Sequence, residues 1–132
     1  MARDRLMTVV KTVGLWIPVA LLLFIFLPQG WAKFSDSSGW AVAFRHWGYP
    51  DWFRVTIGVL EIGGALLLLW PRTAAIGAAL IVCVMLGGMA THLLKDGGRH
   101  LTSEVVPLVL ATIVLLTRRS DTRLRFARTG SA

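Results

Sequence analysis

Long apolar runs alternate with brief polar stretches along the chain. Apolar side chains dominate residues 13–28, 52–70, 74–94 and 101–117. Runs of about 17–25 apolar residues suit helices that cross a hydrocarbon layer ~30 Å thick. The pattern predicts an all-α membrane protein. It is read as a four-transmembrane-helix antiparallel bundle forming one domain at 13–117, between a basic lead at 1–12 and a basic, disordered tail at 118–132. The run at 52–70 organises the rest. Trp52 and Trp70 stand at its ends, at headgroup depth, and Glu61 lies at its centre, followed by Gly63 and Gly64. A carboxylate at mid-membrane costs about 2.5–3.5 kcal/mol on insertion scales, so Glu61 is expected to face the protein interior and to find a partner there.

The polar stretches supply the punctuation. Pro18 falls near the first turn of the first helix or kinks it, and Pro28 with Gly30 is expected to end it. A cleaved signal peptide is the competing reading, since a basic start, an apolar run and the small Gly30 and Ala32 follow one another. Pro28 and Trp31 at that site, and Trp16, Phe24 and Phe26 within the run, argue for retention. Residues 33–51 are polar and aromatic. Asp36, Ser37 and Ser38 are candidate caps for a short helix over 41–47, whose Trp40, Phe44 and Trp47 suit an interfacial position in the first outer loop. Gly48-Tyr49-Pro50 then turns the chain into the second span, where Gly58, Glu61 and Ala65 share one face. Pro71-Arg72 is too short for anything but an antiparallel hairpin. In the third span Gly77, Ile81, Gly88 and His92 lie together, and Gly87-Gly88 permits close helix contact. Lys95 to His100 form a polar turn, Thr102 or Ser103 caps the fourth span, and Glu104 sits in its first turn, where the helix dipole favours an anion.

Composition agrees with this reading. Of the 132 residues, 55% are hydrophobic and six are Trp, placed mostly near the ends of runs as an aromatic belt requires. The net charge of +7 raises nucleic acid as a partner. However, the cations cluster at the termini, at Arg3, Arg5 and Lys11 and at Arg118, Arg119, Arg123, Arg125 and Arg128. Such clusters attract anionic lipid headgroups and mark the cytoplasmic side. With Arg72 they make nine cations on the side of the termini. Lys33, Arg45, Arg54, Lys95 and Arg99 make five on the other, so both termini are expected in the cytoplasm. Cys83 is the only cysteine, which excludes an internal disulfide and a CxxC relay.

This topology gathers Lys33, His46, Arg54, His92, Arg99, His100 and Glu104 at the outer membrane face, with Glu61 about 13 Å deeper than Trp52 by helical rise. The result is an outward-facing polar funnel floored by Glu61. Structural readings compete with functional ones. Lys33 and Arg54 suit snorkelling to headgroups, His92 a hydrogen-bonded helix end, Glu104 a first-turn acid, and Glu61 a hydrogen bond across a glycine-rich interface. The functional reading makes Glu61 and His92 candidate catalytic groups and Lys33, Glu61, His92, Glu104 and His46 candidate ligand-binding groups, an ionisable residue inside a membrane being functional by default. His46, His92, His100, Glu61 and Glu104 have no metal-ligand spacing such as HExxH or ExxH, and no metal site is expected. Nucleophilic triads, phosphate loops and haem motifs are also lacking.

An ordered series of short motifs carries a family resemblance. Gly30-Trp31-Ala32-Lys33-Phe34, Gly48-Tyr49-Pro50, Gly58 to Leu68, Pro71-Arg72-Thr73, Gly77-Ala78, Met85 to Gly88 and Thr91-His92-Leu93 together resemble the DoxX-like family over about residues 12–117. The resemblance implies a four-helix protein of the bacterial inner membrane, with Lys33, Glu61 and His92 at recurring polar positions. Its relatives are linked to quinone-coupled sulfur oxidation, to oxidoreductase complexes that resist thiol and oxidative stress, and to assembly of membrane proteins. Function then divides three ways. The chain is an accessory subunit of a redox system, binding a small apolar ligand such as a quinone beside a membrane redox partner. Alternatively, it is a non-catalytic assembly or interaction protein. In the third reading it is a proton-coupled transporter that works as an oligomer, a homodimer formed through the glycine faces.

Overall fold

Every regular element is a helix in the computed structural model, which describes residues 1–130, with no side chains described over 119–129. Helix α1 spans Ala2–Ala32, α2 Gly39–His46, α3 Asp51–Leu67, α4 Ala74–Lys95 and α5 Leu101–Gly130. Among the described residues, three segments are long and apolar enough to cross a membrane: Ala2–Ala32, Ala74–Lys95 and Leu101–Arg118. The chain is read as a membrane protein on that basis. Helix α3, at 17 residues, is shorter. It packs between α1 and α4, α4 packs on α5, α5 returns to α1, and α2 lies on α3.

Each long helix buries one stripe spaced in threes and fours, the signature of antiparallel helix packing. Val19, Leu22, Phe26, Gly30 and Lys33 form the stripe of α1, and Arg54, Gly58, Glu61, Ala65 and Leu68 that of α3. Ala74, Gly77, Ala78, Ile81, Met85 and His92 are buried on α4, and Glu104, Pro107, Ala111, Val114 and Arg118 on α5. At the end of the molecule near Trp70 the stripes are aliphatic or small, and the core sits there. The end that carries α2 holds the charged members except Arg118, which lies over the Trp16 ring at the opposite end.

Helix ends differ from expectation for identifiable reasons. Pro28 does not end α1, and both Pro18 and Pro28 lie inside it. In apolar surroundings a helix keeps its remaining backbone bonds rather than exposing them. The added turn carries Gly30 and Lys33 onto the same face as Phe26. Conversely, α3 stops at Leu67, short of Trp70, because Leu68 and Leu69 shift to i−3 bonds ahead of Pro71. The Thr73 hydroxyl donates to the freed Leu67 carbonyl at 2.8 Å. Residues 1–12 continue α1 upstream. The backbone of α5 stays helical to Gly130 rather than ending at Thr117, with no Gly or Pro between Pro107 and Gly130 to interrupt it. Helix α2 forms as its caps suggest, the Ser38 side chain accepting the Ala41 N–H at 3.3 Å. Gly98 closes α4 in the left-handed conformation, its N–H reaching the His92 carbonyl at 2.9 Å.

Candidate functional site

Glycines set how closely the site's helices approach. A side chain at Gly58 would meet the Gly30 carbonyl at 3.0 Å and Lys33 Cβ at 3.1 Å, so α1 and α3 are in backbone contact there. One turn further along α3, Lys33 Nζ reaches both oxygens of Glu61, at 3.0 and 2.8 Å. Both side chains are only 3% exposed. Lys33 is the residue that caps the C-terminus of α1, where the helix dipole favours a cation. Its ammonium also lies over the Trp40 ring, 3.8 Å from the centroid. Glu61 therefore has the interior partner that its depth demands.

A second cluster joins α4 and α5. Gly88 leaves no room for a Cβ, which would stand 2.8 Å from Glu104 Oε2, so the Glu104 carboxylate rests against the backbone of α4. One turn above, His92 turns Nε2 towards Glu104 Oε1 at 3.5 Å and Nδ1 towards Asp96 Oδ2 at 3.0 Å. The Trp47 indole of α2 packs edge-on against the His92 ring, centroids 5.3 Å apart, and donates to Asp96 Oδ1 at 3.0 Å. Asp96 caps α4 outside the apolar span. The Trp47 hydrogen bond foremost, and the His92 ring with it, hold its carboxyl below the ordinary value, against the opposing effect of burial. Tyr49 ties α3's leading turn to α4 through a 3.0 Å hydrogen bond with Thr91.

The two clusters face one cavity of about 380 Å³. Lys33, Glu61, His92 and Glu104 line it together with Trp40, Phe44, Trp47, Tyr49, Phe53, Ile57, Leu60 and Met85. This size falls in the range of small-molecule sites, as does an apolar wall with a few converging polar groups. A wider recess of about 740 Å³ lies on the other side of His92, lined also by His46, Asp96, His100 and Ser103. His92 thus forms part of the wall between the two. No group of three or more His, Cys, Asp or Glu among the described residues is disposed to hold a metal ion.

Four of the five expected site residues, Lys33, Glu61, His92 and Glu104, meet in the cavity. His46 does not. It is exposed and borders only the outer recess, because it ends α2 on the side away from Trp47 and Phe44. Lys33 and Arg54 do not snorkel. Arg54 is 1% exposed and pairs with Asp36 at 2.6 Å, fastening the α1–α2 connection to α3. Arg99 and His100 are exposed. Trp40, Trp47, Tyr49 and Asp96 were not anticipated. Only Asp96 had a signal, its i+4 spacing from His92 on one helix face.

Comparison with known proteins is consistent with this architecture. A family model described as the DoxX-like family matches residues 9–115. A Bacillus subtilis (strain 168) protein named uncharacterized protein YdgD is 37% identical over 87 residues, which cover 63% of this chain and 75% of that protein. Uncharacterized protein YwoB, of the same organism, is 30% identical over 85 residues, covering 64% of this chain and 55% of its own length. This chain thus spans about half of the second relative. No solved structure matches it.

Proposed function

The chain belongs to the DoxX-like family, and from that premise we propose that it is a membrane accessory protein of a redox system that binds a small apolar ligand, a quinone by class, above Glu61. One observation carries the reading. A cavity of about 380 Å³ is walled by aromatic and aliphatic side chains, yet it contains a buried Lys33–Glu61 pair and a His92–Glu104 pair. Buried ionisable groups beside a ligand-sized apolar space suit a flat, lipid-soluble molecule with hydrogen-bonding carbonyls.

In this proposal α3 is the fourth membrane span, both termini lie in the cytoplasm of the inner membrane, and the α2 end faces outward. The basic residues at the termini favour that orientation. Lys33 and Glu61 would orient the ligand's carbonyl. His92, with one ring nitrogen on Asp96 beside the outer recess and the other on Glu104 inside the cavity, would carry protons between them. Electrons would come from a membrane redox partner. A second reading, a purely structural assembly protein, is favoured by the completeness of the Lys33–Glu61 pair, which ties α1 to α3 beside their close contact at Gly30 and Gly58.

The test is chemical. Protein purified in mild detergent is extracted into organic solvent, and the extract is examined by optical spectroscopy and mass spectrometry. A stoichiometric lipid-soluble compound is expected from the wild type and not from Glu61→Gln, with both proteins monodisperse and equally helical. Equal ligand content in the variant would remove Glu61 from the site. A wild type that releases only ordinary lipids would favour the assembly reading.

A further inference from the structure

We infer that the cavity is loaded sideways from the hydrocarbon layer, through a slot between α3 and α4. The inference rests on the ligand-binding reading above and adds a route and a shape of ligand. The two helices meet closely at two heights. Towards Trp70, a Cβ on Gly77 would stand 2.5 Å from the Gly64 carbonyl and 2.9 Å from Leu67 Cβ, so the backbones are in contact. Towards α2, the Tyr49 hydroxyl and Thr91 Oγ1 bridge the helices at 3.0 Å. Between these closures residues of both helices line the cavity.

The rim of that gap is apolar. Cys83 and Gly87, one turn apart near the middle of α4, both line the cavity and are both exposed on the protein's flank. A Cβ on Gly87 would meet nothing within 4 Å, so no side chain fills the space in front of it. Leu60 borders the same cavity from α3. Neither a glycine, a thiol nor a leucine gives water a good hydrogen-bonding partner, and the charged groups sit at the inner wall. The α2 end is obstructed by contrast, because Trp47 packs on His92 there and holds Asp96. A slot apolar at its mouth and charged at its back admits a molecule with a hydrogen-bonding head and a hydrocarbon tail, head first from the bilayer.

The full-length protein in phosphatidylcholine vesicles allows the test, with decylubiquinone as the probe and its binding read by quenching of tryptophan fluorescence, since Trp40 and Trp47 line the cavity. Gly87→Phe is expected to slow association about tenfold or more, a change within the range one interface substitution can produce. Leu60→Trp, which narrows the other rim, should act in the same direction should Gly87→Phe fold poorly. Gly14→Phe, on open surface of α1, is expected to change nothing. Wild-type rates in both rim variants would overturn the slot while leaving ligand binding intact. Absence of any probe binding to the wild type would overturn both. A phospholipid retained in the cavity that the probe does not displace would overturn the slot as a route for the proposed ligand.

Discussion

The two ends of the same four long helices are built on one register and filled with opposite chemistry. Towards Trp70 the inward positions Val19, Leu22, Ala65, Leu68, Ala78, Ile81, Ala111 and Val114 are all 0–1% exposed, and the one buried cation described at that end, Arg118, lies over the Trp16 ring. Towards α2 the next positions on those stripes are Lys33, Arg54, Glu61, His92 and Glu104, and all of them but Arg54 line a cavity. Small residues at the first end let α3 and α4 touch, which fixes the base of the assembly by close packing. At the other end charged and aromatic side chains line a cavity between α3 and α4. The comparison indicates that the dry end supplies rigidity and the polar end spends part of it on a ligand-sized space.

The Lys33–Glu61 pair should give the largest response. Lys33→Met alone leaves Glu61 buried without its counter-ion and is expected to cost about 3–5 kcal/mol in thermal unfolding in detergent. Lys33→Met combined with Glu61→Leu should recover most of that loss, because replacing a buried pair with apolar side chains is often neutral. The double variant would still bind no ligand, separating stability from function. A single variant as stable as the wild type would mean that water reaches Glu61 and that the two ends differ less than the burial indicates.

Two glycines on α4 sharpen the contrast at smaller amplitude. Gly77→Ala forces a Cβ against the Gly64 carbonyl and should cost about 1–3 kcal/mol by overpacking. Gly87→Ala meets open space and should stay within about 0.5 kcal/mol of the wild type. The same substitution on one helix thus reads the closed and open parts of the α3–α4 interface. Equal effects at the two sites would contradict the slot between them.

The polar end was legible in the sequence to the extent that depth alone makes a residue conspicuous. Glu61 stands out because a lone carboxylate in an apolar run demands a partner, and Lys33, Glu104 and His92 lie where helices of that length would end. His46 shared their residue type and their expected depth, but depth does not say which face of α2 turns inward. Trp40 gave no signal, because its contact with Lys33 depends on how the 33–38 connection folds back. Prolines misled in both directions. Pro28 is absorbed within α1 because the turn after it packs Gly30 on α3, whereas Pro71 unwinds α3 early because nothing beyond Leu68 is packed against it as tightly. Arg54 resembled a headgroup anchor by sequence, and only the approach of Asp36 from a separate loop makes it internal.

The smallest expected effect concerns the lid over the polar end, and pH resolves it. Trp47→Phe keeps the ring against His92 and removes the hydrogen bond to Asp96. In the wild type that bond is the main cause holding the Asp96 carboxyl below its ordinary value of 3.8. A carboxyl whose native value is depressed contributes stability that is complete above the unfolded value and lost as pH falls through the native one. Wild type and variant are therefore expected to differ at neutral pH, with the variant less stable, and to converge as the pH falls below 3.8 towards the native value. The measurement is thermal unfolding in detergent at stepped pH. A constant difference across that range would mean that Trp47 acts through packing on His92 alone, and that the hydrogen bond to Asp96 does not close the outer recess over the cavity.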